Sequence, residues 1–490
     1  MITRNLEGFQ LYFHFKHSIS RRKFLAASVG LGPTVGVGRY ESLAAVVPEF
    51  RLRAISGKAQ LSAFDPRPTA IWAYNGQFPS PILRTKQGEP FRAVVENGLE
   101  QDTTVHWHGI RVPNAMDGVP GLTQIPIKPG ASFPYEFTPP DAGTFWYHPH
   151  ANSLEQIGRG LAGLLIVEER ESVAVDRDLA WLLQDWRLTE QHEISARFGG
   201  MMDAAMAGRI GNVITINGEP PADLVVRKGE RIRLRLANAA LARMMALRFE
   251  GHQLVVIAID GQPCVPHEPE NGRLMLGPGM RIDVLLDMMG QPGERYPVID
   301  DFYDGLSYIL ASLVYDTGSL LPSRLMDSAA KLQPNPQLPP DLAAAVRQEI
   351  ILQGGMMGGG KLRGVGGMKG SAMPGMNGGP VWAINGMSMS GDGMAGMEPL
   401  FTLARGQSCH LTMRNETAWW HTMHIHGFTM LMLTRNGQSI PHHQLHDTVL
   451  MAPKDIVECA FVADNPGDWM LHCHVTDHQT AGLMTVFRVT

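Results

Sequence analysis

Two histidine-rich segments near the C-terminus place the strongest constraint on this chain. They read His421-Thr422-Met423-His424-Ile425-His426 and His472-Cys473-His474, with His478 four residues further on. Side chains alternate between the two faces of an extended strand. If both segments are strands that lie side by side, their side chains separate into two groups. One group is Cys473 with His421 and His478, and the other is four imidazoles: His424, His426, His472 and His474.

Two further pairs lie in the N-terminal third, His106-Trp107-His108 and His148-Pro149-His150. In each pair both imidazoles can point to the same side. A site of two histidines and one cysteine is typical of an electron-transfer copper. The eight other histidines suffice for a copper pair with three ligands each and a third copper with two. A strand with one solvated imidazole would explain a single pair, but not why ten of the 19 histidines fall into this pattern.

These four motifs resemble those of the multicopper oxidases, the laccase-like family, over essentially the whole chain after residue 45. In character the chain is closest to periplasmic cuprous oxidases and copper-resistance multicopper oxidases. The resemblance implies an all-β fold of three cupredoxin-like Greek-key β-sandwich domains, four copper ions, O₂ as electron acceptor and water as product. The ligands it implies are His421, Cys473 and His478 for type 1 copper, His106 and His424 for type 2, and His108, His148, His150, His426, His472 and His474 for the type 3 pair.

Asp117 is the candidate catalytic residue. It lies in Pro113–Gly118, after the first histidine pair, and aligns with an acidic residue that the family places near the type 2 copper. The resemblance therefore implies a role in proton delivery. The alternative is an ordinary turn aspartate, because Asp-Gly is a common turn sequence.

Two features depart from the cuprous oxidases. Gln479 stands where those enzymes have an acidic residue, and residues 417–420, Thr-Ala-Trp-Trp, replace an Asp and a Met that bind substrate Cu(I). The family places a weak axial residue, often methionine, ten residues after the cysteine, and here that position is Leu483. We expect Met484 to point away from the copper, because adjacent strand residues face opposite sides.

The length of 490 residues fits three domains. Short apolar runs separated by turn residues predict β-sandwiches, with strands at Phe91–Asn97, Arg231–Leu236, Leu254–Ile259 and Ser408–Asn415. We place the domains at 46–169, 170–320 and 349–490, with a linker at 321–348 that includes a short helix near residues 341–348. Each domain has a strand ending in asparagine (Asn97, Asn238 and Asn415), which indicates an internal triplication. The middle domain has no copper-ligand motif, so we expect it to act as a spacer.

Residues 354–397 contain nine methionines among many glycines. We expect this insertion to be mobile and to build no core. Methionine could be neutral filler, but thioethers are ligands suited to Cu(I).

The N-terminus carries Arg21-Arg22 before a short apolar stretch that ends near Ala45, the pattern of a Tat-type signal peptide over residues 1–45. This favours export, folded, to the periplasm over an accidental arginine pair in a tail. Among the remaining cysteines we expect Cys264 to be buried. Cys409 and Cys459 are either a disulfide or, as we favour, two buried thiols.

We therefore expect a periplasmic multicopper oxidase that oxidises Cu(I), in copper tolerance, or small phenols and aromatic amines. The alternatives are a general laccase without a copper-homeostasis role and a copper-sequestering protein without turnover. The net charge of −5 without a long basic run argues against nucleic acid as a partner. We expect no membrane span and a monomer.

Overall fold

Strands form where apolar side chains alternate with more polar ones, so that one face of the strand is buried. In Phe91–Asn97, for example, every second side chain is buried. The computed structural model describes residues 49–318, 331–357, 381–389, 394 and 396–490. The twin arginine of the export signal lies outside these ranges, as do residues 321–330 of the linker and Met368, Met373 and Met376 of the insertion. The four predicted strands are confirmed, and the second extends to Asn238.

The first sandwich consists of two four-stranded sheets, in the orders β2-β1-β4-β6 and β3-β8-β7-β5. Its strands β1 to β8 are Glu49–Ala59, Thr69–Tyr74, Leu83–Lys86, Phe91–Asn97, His106–His108, Ser132–Phe137, Gly143–His148 and Gly163–Glu168. A 3₁₀ turn at Asn114–Met116 and the helix α1 at Ser153–Gly158 connect them.

The second sandwich pairs a six-stranded sheet, β10-β9-β12-β17-β14-β15, with a five-stranded one, β11-β19-β18-β13-β16. Its strands β9 to β19 are Arg177–Trp186, Val213–Ile216, Leu224–Val226, Arg231–Asn238, Met245–Phe249, Leu254–Ile259, Gln262–His267, Leu274–Leu276, Arg281–Asp287, Arg295–Asp300 and Tyr308–Tyr315. The helix α2 at Met201–Ala205 and a 3₁₀ turn at Glu270–Gly272 lie in its loops.

The third sandwich has one sheet in the order β21-β20-β23-β29-β25-β26, with β27 also on β25, and a second in the order β22-β31-β30-β24-β28. Its strands β20 to β31 are Val346–Gly354, Trp382–Ile384, Thr402–Leu403, Ser408–Asn415, His421–Ile425, Met430–Arg435, Gln438–Ser439, Leu445–His446, Thr448–Met451, Ile456–Val462, Gly467–Cys473 and Met484–Val489. The helix α3 is Thr476–Thr480.

The same hydrogen-bond arrangement recurs at three asparagines. Asn97, Asn238 and Asn415 each end a central strand. The Oδ1 of each accepts a hydrogen bond from the backbone N–H two residues later. The Nδ2 of each donates to two backbone carbonyls, one of them four or five residues later. Each domain also pairs its first strand in parallel with the strand that carries this asparagine. The three domains therefore share one topology down to a buried side chain.

Two expectations about the start of the third domain are wrong. No helix forms at residues 341–348, because β20 begins at Val346 and alternates buried and exposed residues up to Gly354. The proposed insertion is not wholly coreless either. Trp382–Ile384 is a strand paired with β20, and Trp382 and Met394 are buried. The glycine-rich composition around this short apolar run concealed it.

Candidate metal centre

The histidine strands of the first and third sandwiches face each other. Within the first sandwich, β5 pairs with β7 so that His106 lies opposite His148. Within the third, β24 pairs with β30 so that His424 lies opposite His472. The two sheets meet where the rings of His108 and His424 stack with centroids 3.8 Å apart. Residues from the two ends of the chain thus share one pocket.

Eight imidazoles line this pocket, and each is at most 3% exposed: His106, His108, His148, His150, His424, His426, His472 and His474. Several pairs point their Nε2 atoms at each other. These atoms are 3.4 Å apart in His106 and His424, 3.1 Å in His426 and His472, and 3.4 Å in His148 and His474. Such separations suit nitrogens that share a metal ion at about 2.0 Å each.

The nitrogens on the outer side of the pocket donate hydrogen bonds to oxygen atoms. The Nδ1 of His106 donates to the Asp117 carbonyl at 2.8 Å, and the Nδ1 of His472 to the Cys473 carbonyl at 2.9 Å. The Nδ1 of His148 donates to the carbonyl of the next residue, Pro149, at 3.1 Å. These bonds fix the tautomer and leave the Nε2 lone pair directed inward, as metal-binding histidines require.

The imidazole ring of His108 has the opposite orientation, with its two nitrogens exchanged relative to those of these three histidines. Its Nε2 donates to the Thr448 hydroxyl at 3.1 Å, whereas its Nδ1 is buried without a hydrogen-bond partner. The inward lone pair of His108 is therefore on Nδ1. A buried imidazole nitrogen without a partner is costly in a protein interior, and a metal ion would satisfy it.

Burial favours the neutral form of most pocket histidines. It lowers the pKa of His148, His150 and His474 well below the ordinary value, and neighbouring histidines lower it further. The same causes lower the pKa of His426 and His472. A metal ion must displace any proton from its ligand, so a low pKa removes this competition near neutral pH.

Asp117 lies beside the pocket and is fully buried. Its Oδ2 accepts a hydrogen bond from Nδ1 of His426 at 2.9 Å, and its Oδ1 lies 3.3 Å from Nδ1 of His106. The carboxylate thus touches one histidine from each contributing domain.

His421, Cys473 and His478 form a second, smaller cluster on the opposite face of the strands. The Cys473 Sγ lies 3.4 Å from Nδ1 of His421 and 3.8 Å from Nδ1 of His478, and the two nitrogens are 3.1 Å apart. Burial raises the pKa of the Cys473 thiol to about 12 and lowers that of His478 to about 3. A thiolate here needs an adjacent cation, so the donor set fits a bound metal.

The surroundings of this cluster include residues that the motifs did not indicate. The Thr417 hydroxyl lies 2.9 Å from Nε2 of His421, and the ring of Trp382 packs against both His421 and His478. The Nε2 of His478 donates to the carbonyl oxygen of Met206 at 2.7 Å. Met206 belongs to the middle domain, and no sequence pattern connects it to a histidine 272 residues away.

Three models of the multicopper oxidase family match the chain at residues 57–172, 177–314 and 374–490, one for each sandwich. The chain belongs to the multicopper oxidase family. Its enzyme class is therefore that of oxidoreductases that use O₂, and its cofactors are four copper ions: one type 1, one type 2 and a type 3 pair.

Three relatives illustrate the range of similarity to this multicopper oxidase. The crystal structure of a multicopper oxidase from Pseudomonas parafulva is 33% identical, covers 90% of this chain and 100% of that chain, and has a TM-score of 0.76. Multicopper oxidase MmcO of Mycobacterium tuberculosis is 29% identical, over 96% of each chain. Copper resistance protein A of Escherichia coli is 29% identical over 54% of this chain and 49% of that protein.

The three remaining cysteines of this multicopper oxidase are free and buried: Cys264, Cys409 and Cys459. Cys409 lies opposite Phe461, and Cys459 lies opposite Leu411, so the two thiols are diagonal neighbours on paired strands.

Among the described residues, no helix has the length and apolar character needed to cross a bilayer.

Proposed function

We propose that this multicopper oxidase uses Cu(I) as its physiological reductant and serves copper tolerance in the periplasm. The observation that carries the substrate assignment is the contact between His478 and the Met206 carbonyl. This contact places a segment with three methionines, Met201, Met202 and Met206, against the His478 edge of the smaller cluster. In the reaction, four Cu(I) and four protons convert one O₂ to two water molecules and leave four Cu(II).

The ligand assignment is part of this proposal. His421, Cys473 and His478 would hold the type 1 copper, and His106 and His424 the type 2 copper. The type 3 ions would take the six remaining histidines in two groups: His150, His426 and His472, and His108, His148 and His474. In the first group the three ligand atoms lie within 4.8 Å of one another. In the second group the Nε2 atoms of His148 and His474 are 3.4 Å apart. Bound copper supplies the one-electron chemistry and the O₂-binding site.

The chain itself joins the two centres. His472, Cys473 and His474 are consecutive, so the backbone of one strand links the thiolate to two pocket histidines through a few covalent bonds. The Nδ1 of His472 also donates to the carbonyl of Cys473. Proton delivery is assigned to Asp117, whose carboxylate is the acidic group in contact with both His106 and His426.

Methionines from two parts of the chain lie near the contact between His478 and Met206. Met201 and Met202 of α2 are 46% and 54% exposed. The backbone N–H of Met356, at the start of the methionine-rich segment, donates to the Ala205 carbonyl at 2.7 Å. Thioethers suit a soft monovalent ion such as Cu(I). A bulky phenol, by contrast, would have to displace the Met206 segment to touch His478.

The similarity to copper resistance protein A supports the copper-tolerance role. Export rests on the Arg21-Arg22 motif, since a folded, copper-loaded protein is suited to the Tat route. General laccase activity on phenols is the second candidate, favoured by residues 417–420, which stand where the cuprous oxidases have an Asp and a Met that bind Cu(I). The third candidate is copper sequestration without turnover.

Steady-state O₂ uptake on one copper-loaded sample, with Cu(I) and with a phenol, tests the proposal. Cu(I) should have the higher kcat/KM. The double variant Met201→Leu and Met202→Leu should raise KM for Cu(I) severalfold and leave phenol kinetics unchanged. Met289→Leu, a control of similar exposure in the middle domain, should change neither. Preferred oxidation of phenol with Cu(I) kinetics unaffected by the double variant would identify a laccase, and no O₂ uptake with either substrate would identify a sequestering protein.

A further inference from the structure

We propose that Arg281, from the middle domain that holds no copper ligand, is a positioning residue for the trinuclear copper site. This inference rests on the assignment of His108 and His424 as ligands. Arg281 is the first residue of β17 and is fully buried. The middle domain is accordingly more than a spacer: it supplies a charged side chain to the pocket formed by the other two.

The guanidinium of Arg281 contacts all three domains. Its Nη1 and Nη2 donate to the two carboxylate oxygens of Asp447 at 2.8 and 2.6 Å. Its Nε donates to the Thr144 carbonyl of the first domain, and Nη2 also donates to the Asp260 carbonyl of its own domain. A two-pronged arginine–carboxylate pair fixes the orientation of both groups. The carboxylate of Asp447 is therefore held in one orientation by Arg281.

Asp447 in turn contacts two pocket histidines. Its Oδ1 lies 3.3 Å from Nε2 of His108 and 3.3 Å from Nδ1 of His424, and its carbonyl accepts a hydrogen bond from Nδ1 of His424 at 3.0 Å. The Thr448 hydroxyl donates to Oδ1 of Asp447 at 2.7 Å. Since its single hydrogen is used there, this hydroxyl can only accept: from Nε2 of His108, and from Nδ1 of His424, whose one hydrogen it shares with the Asp447 carbonyl; each nitrogen is 3.1 Å away.

These contacts determine which atom donates and which accepts in the hydrogen bonds around Asp447 and Thr448. Arg281 and Thr448 donate to Asp447, so the Thr448 oxygen can only accept from His108 and His424. The hydrogen of His108 is thereby fixed on Nε2 and its lone pair on Nδ1, which accounts for its reversed orientation. His108 belongs to the type 3 assignment and His424 to type 2, so one arginine orients a ligand of each.

Gly109 shows how closely the pair is packed against the ligand backbone. A Cβ at this position, where φ is +85°, would lie 2.0 Å from Nη2 of Arg281 and 2.5 Å from Oδ2 of Asp447. Any side chain directly after His108 would push the guanidinium away from Asp447. The residue next to a ligand is thus adapted to an arginine 172 residues further along the chain.

Copper content and the electron paramagnetic resonance spectrum of type 2 copper test this role in the holoenzyme. Arg281→Met should lower type 2 copper affinity by about tenfold or more and change its hyperfine splitting, while the blue type 1 absorption stays as an internal reference. Arg281→Lys, which keeps the charge but not the two-pronged geometry, should fall between Arg281→Met and the unmodified protein. Arg233→Met is the matched control, because Arg233 is equally buried and pairs with Asp283 and Glu169 but contacts no pocket histidine.

A purely structural role predicts that Arg281→Met and Arg233→Met both lower Tm and leave the type 2 spectrum unchanged. That result would overturn the inference. If Arg281→Met does not fold, Thr448→Val decides, since it removes only the hydroxyl and should perturb the same signal; an unchanged signal would again overturn it. Absence of a type 2 signal from the unmodified protein would instead refute the ligand assignment, so the two failures are distinguishable.

Discussion

The backbone N–H of Cys473 donates to the carbonyl oxygen of Leu483 at 2.9 Å, and both side chains lie fully buried in the same core. Met484, the next residue, packs instead with Met470, Met394 and Val119 in a separate cluster. The aliphatic Leu483 therefore occupies the neighbourhood of the thiol, and the thioether of Met484 lies on the other face of the strand.

The substitution Leu483→Met should lower the type 1 reduction potential, because the axial residue tunes the potential and a thioether donates to the metal where leucine cannot. Potentiometric titration of the blue absorption band measures this. Met484→Leu, on the opposite face, is the control and should leave the potential unchanged. Equal potentials for Leu483→Met and the unmodified protein would refute the axial assignment.

Cys473→Ser should abolish the blue colour and the oxidase activity and leave most of the trinuclear copper bound. The blue colour depends on a thiolate–copper bond, whereas the eight pocket histidines lie on the other face. Absorption spectroscopy with copper quantification, expected to fall from four ions to about three, tests this. A variant that remains blue would show that another residue is the type 1 thiolate.

Asp117→Asn should slow reoxidation of the reduced enzyme by O₂ and leave reduction of the type 1 copper by substrate unchanged. The amide keeps the shape of the side chain but cannot carry a proton to the pocket, and general acid–base groups contribute about 10²–10⁴-fold in rate. Stopped-flow measurement of the two half-reactions separates the effects. Equal reoxidation rates would reduce Asp117 to a structural turn residue.

Deletion of residues 358–376 should raise KM for Cu(I) and leave oxidation of a bulky phenol as fast or faster. This deletion spares Met356 and Met357, because the backbone of Met356 contacts α2 and Trp419. Ag(I) should compete with Cu(I) and Zn(II) should not, since thioethers prefer soft ions. Unchanged Cu(I) kinetics would leave these methionines as filler.

Copper-free protein should lose stability as the pH falls below about 6.5. Burial lowers the pKa of His478 from 6.5 to about 3, so the unfolded chain binds more protons between these values. Each such buried histidine weakens folding by about 1.4 kcal/mol per pH unit in this range. Asp477 acts with the opposite sign, because burial raises its pKa from 3.8 to about 6. Burial also lowers the pKa of His148, His150, His421 and His474, so the buried histidines outnumber Asp477. Tm measured from pH 7.5 to 5 should therefore fall, and fall less after copper loading; a flat profile would contradict the lowered pKa of these histidines.

The separation of ligands into two clusters could be predicted because alternation is a property of the backbone itself. His421 and Cys473 lie together, and His424 and His472 lie together, without any knowledge of the fold. The strand and turn patterns predicted β-sandwiches in the same way, whereas the three cupredoxin-like domains were implied by the family resemblance. Roles of individual ligands and the domain boundaries remain predictions.

What could not be predicted depends on contacts between residues far apart in sequence. Arg281 meets Asp447 across 166 positions, and neither stands in a recognisable motif. A backbone carbonyl such as that of Met206 carries no signal in its side chain. The strand Trp382–Ile384 was missed because only three residues pair and glycine and methionine surround them.

The contact between His106 and His424 spans 318 positions, which has a consequence for biosynthesis. During translation the first histidine pairs emerge long before their counterparts, so no chain that stops before His474 can assemble the pocket. Loss of even the last 20 residues would remove His472, Cys473, His474 and His478 together. A full copper complement therefore requires that synthesis has passed His478.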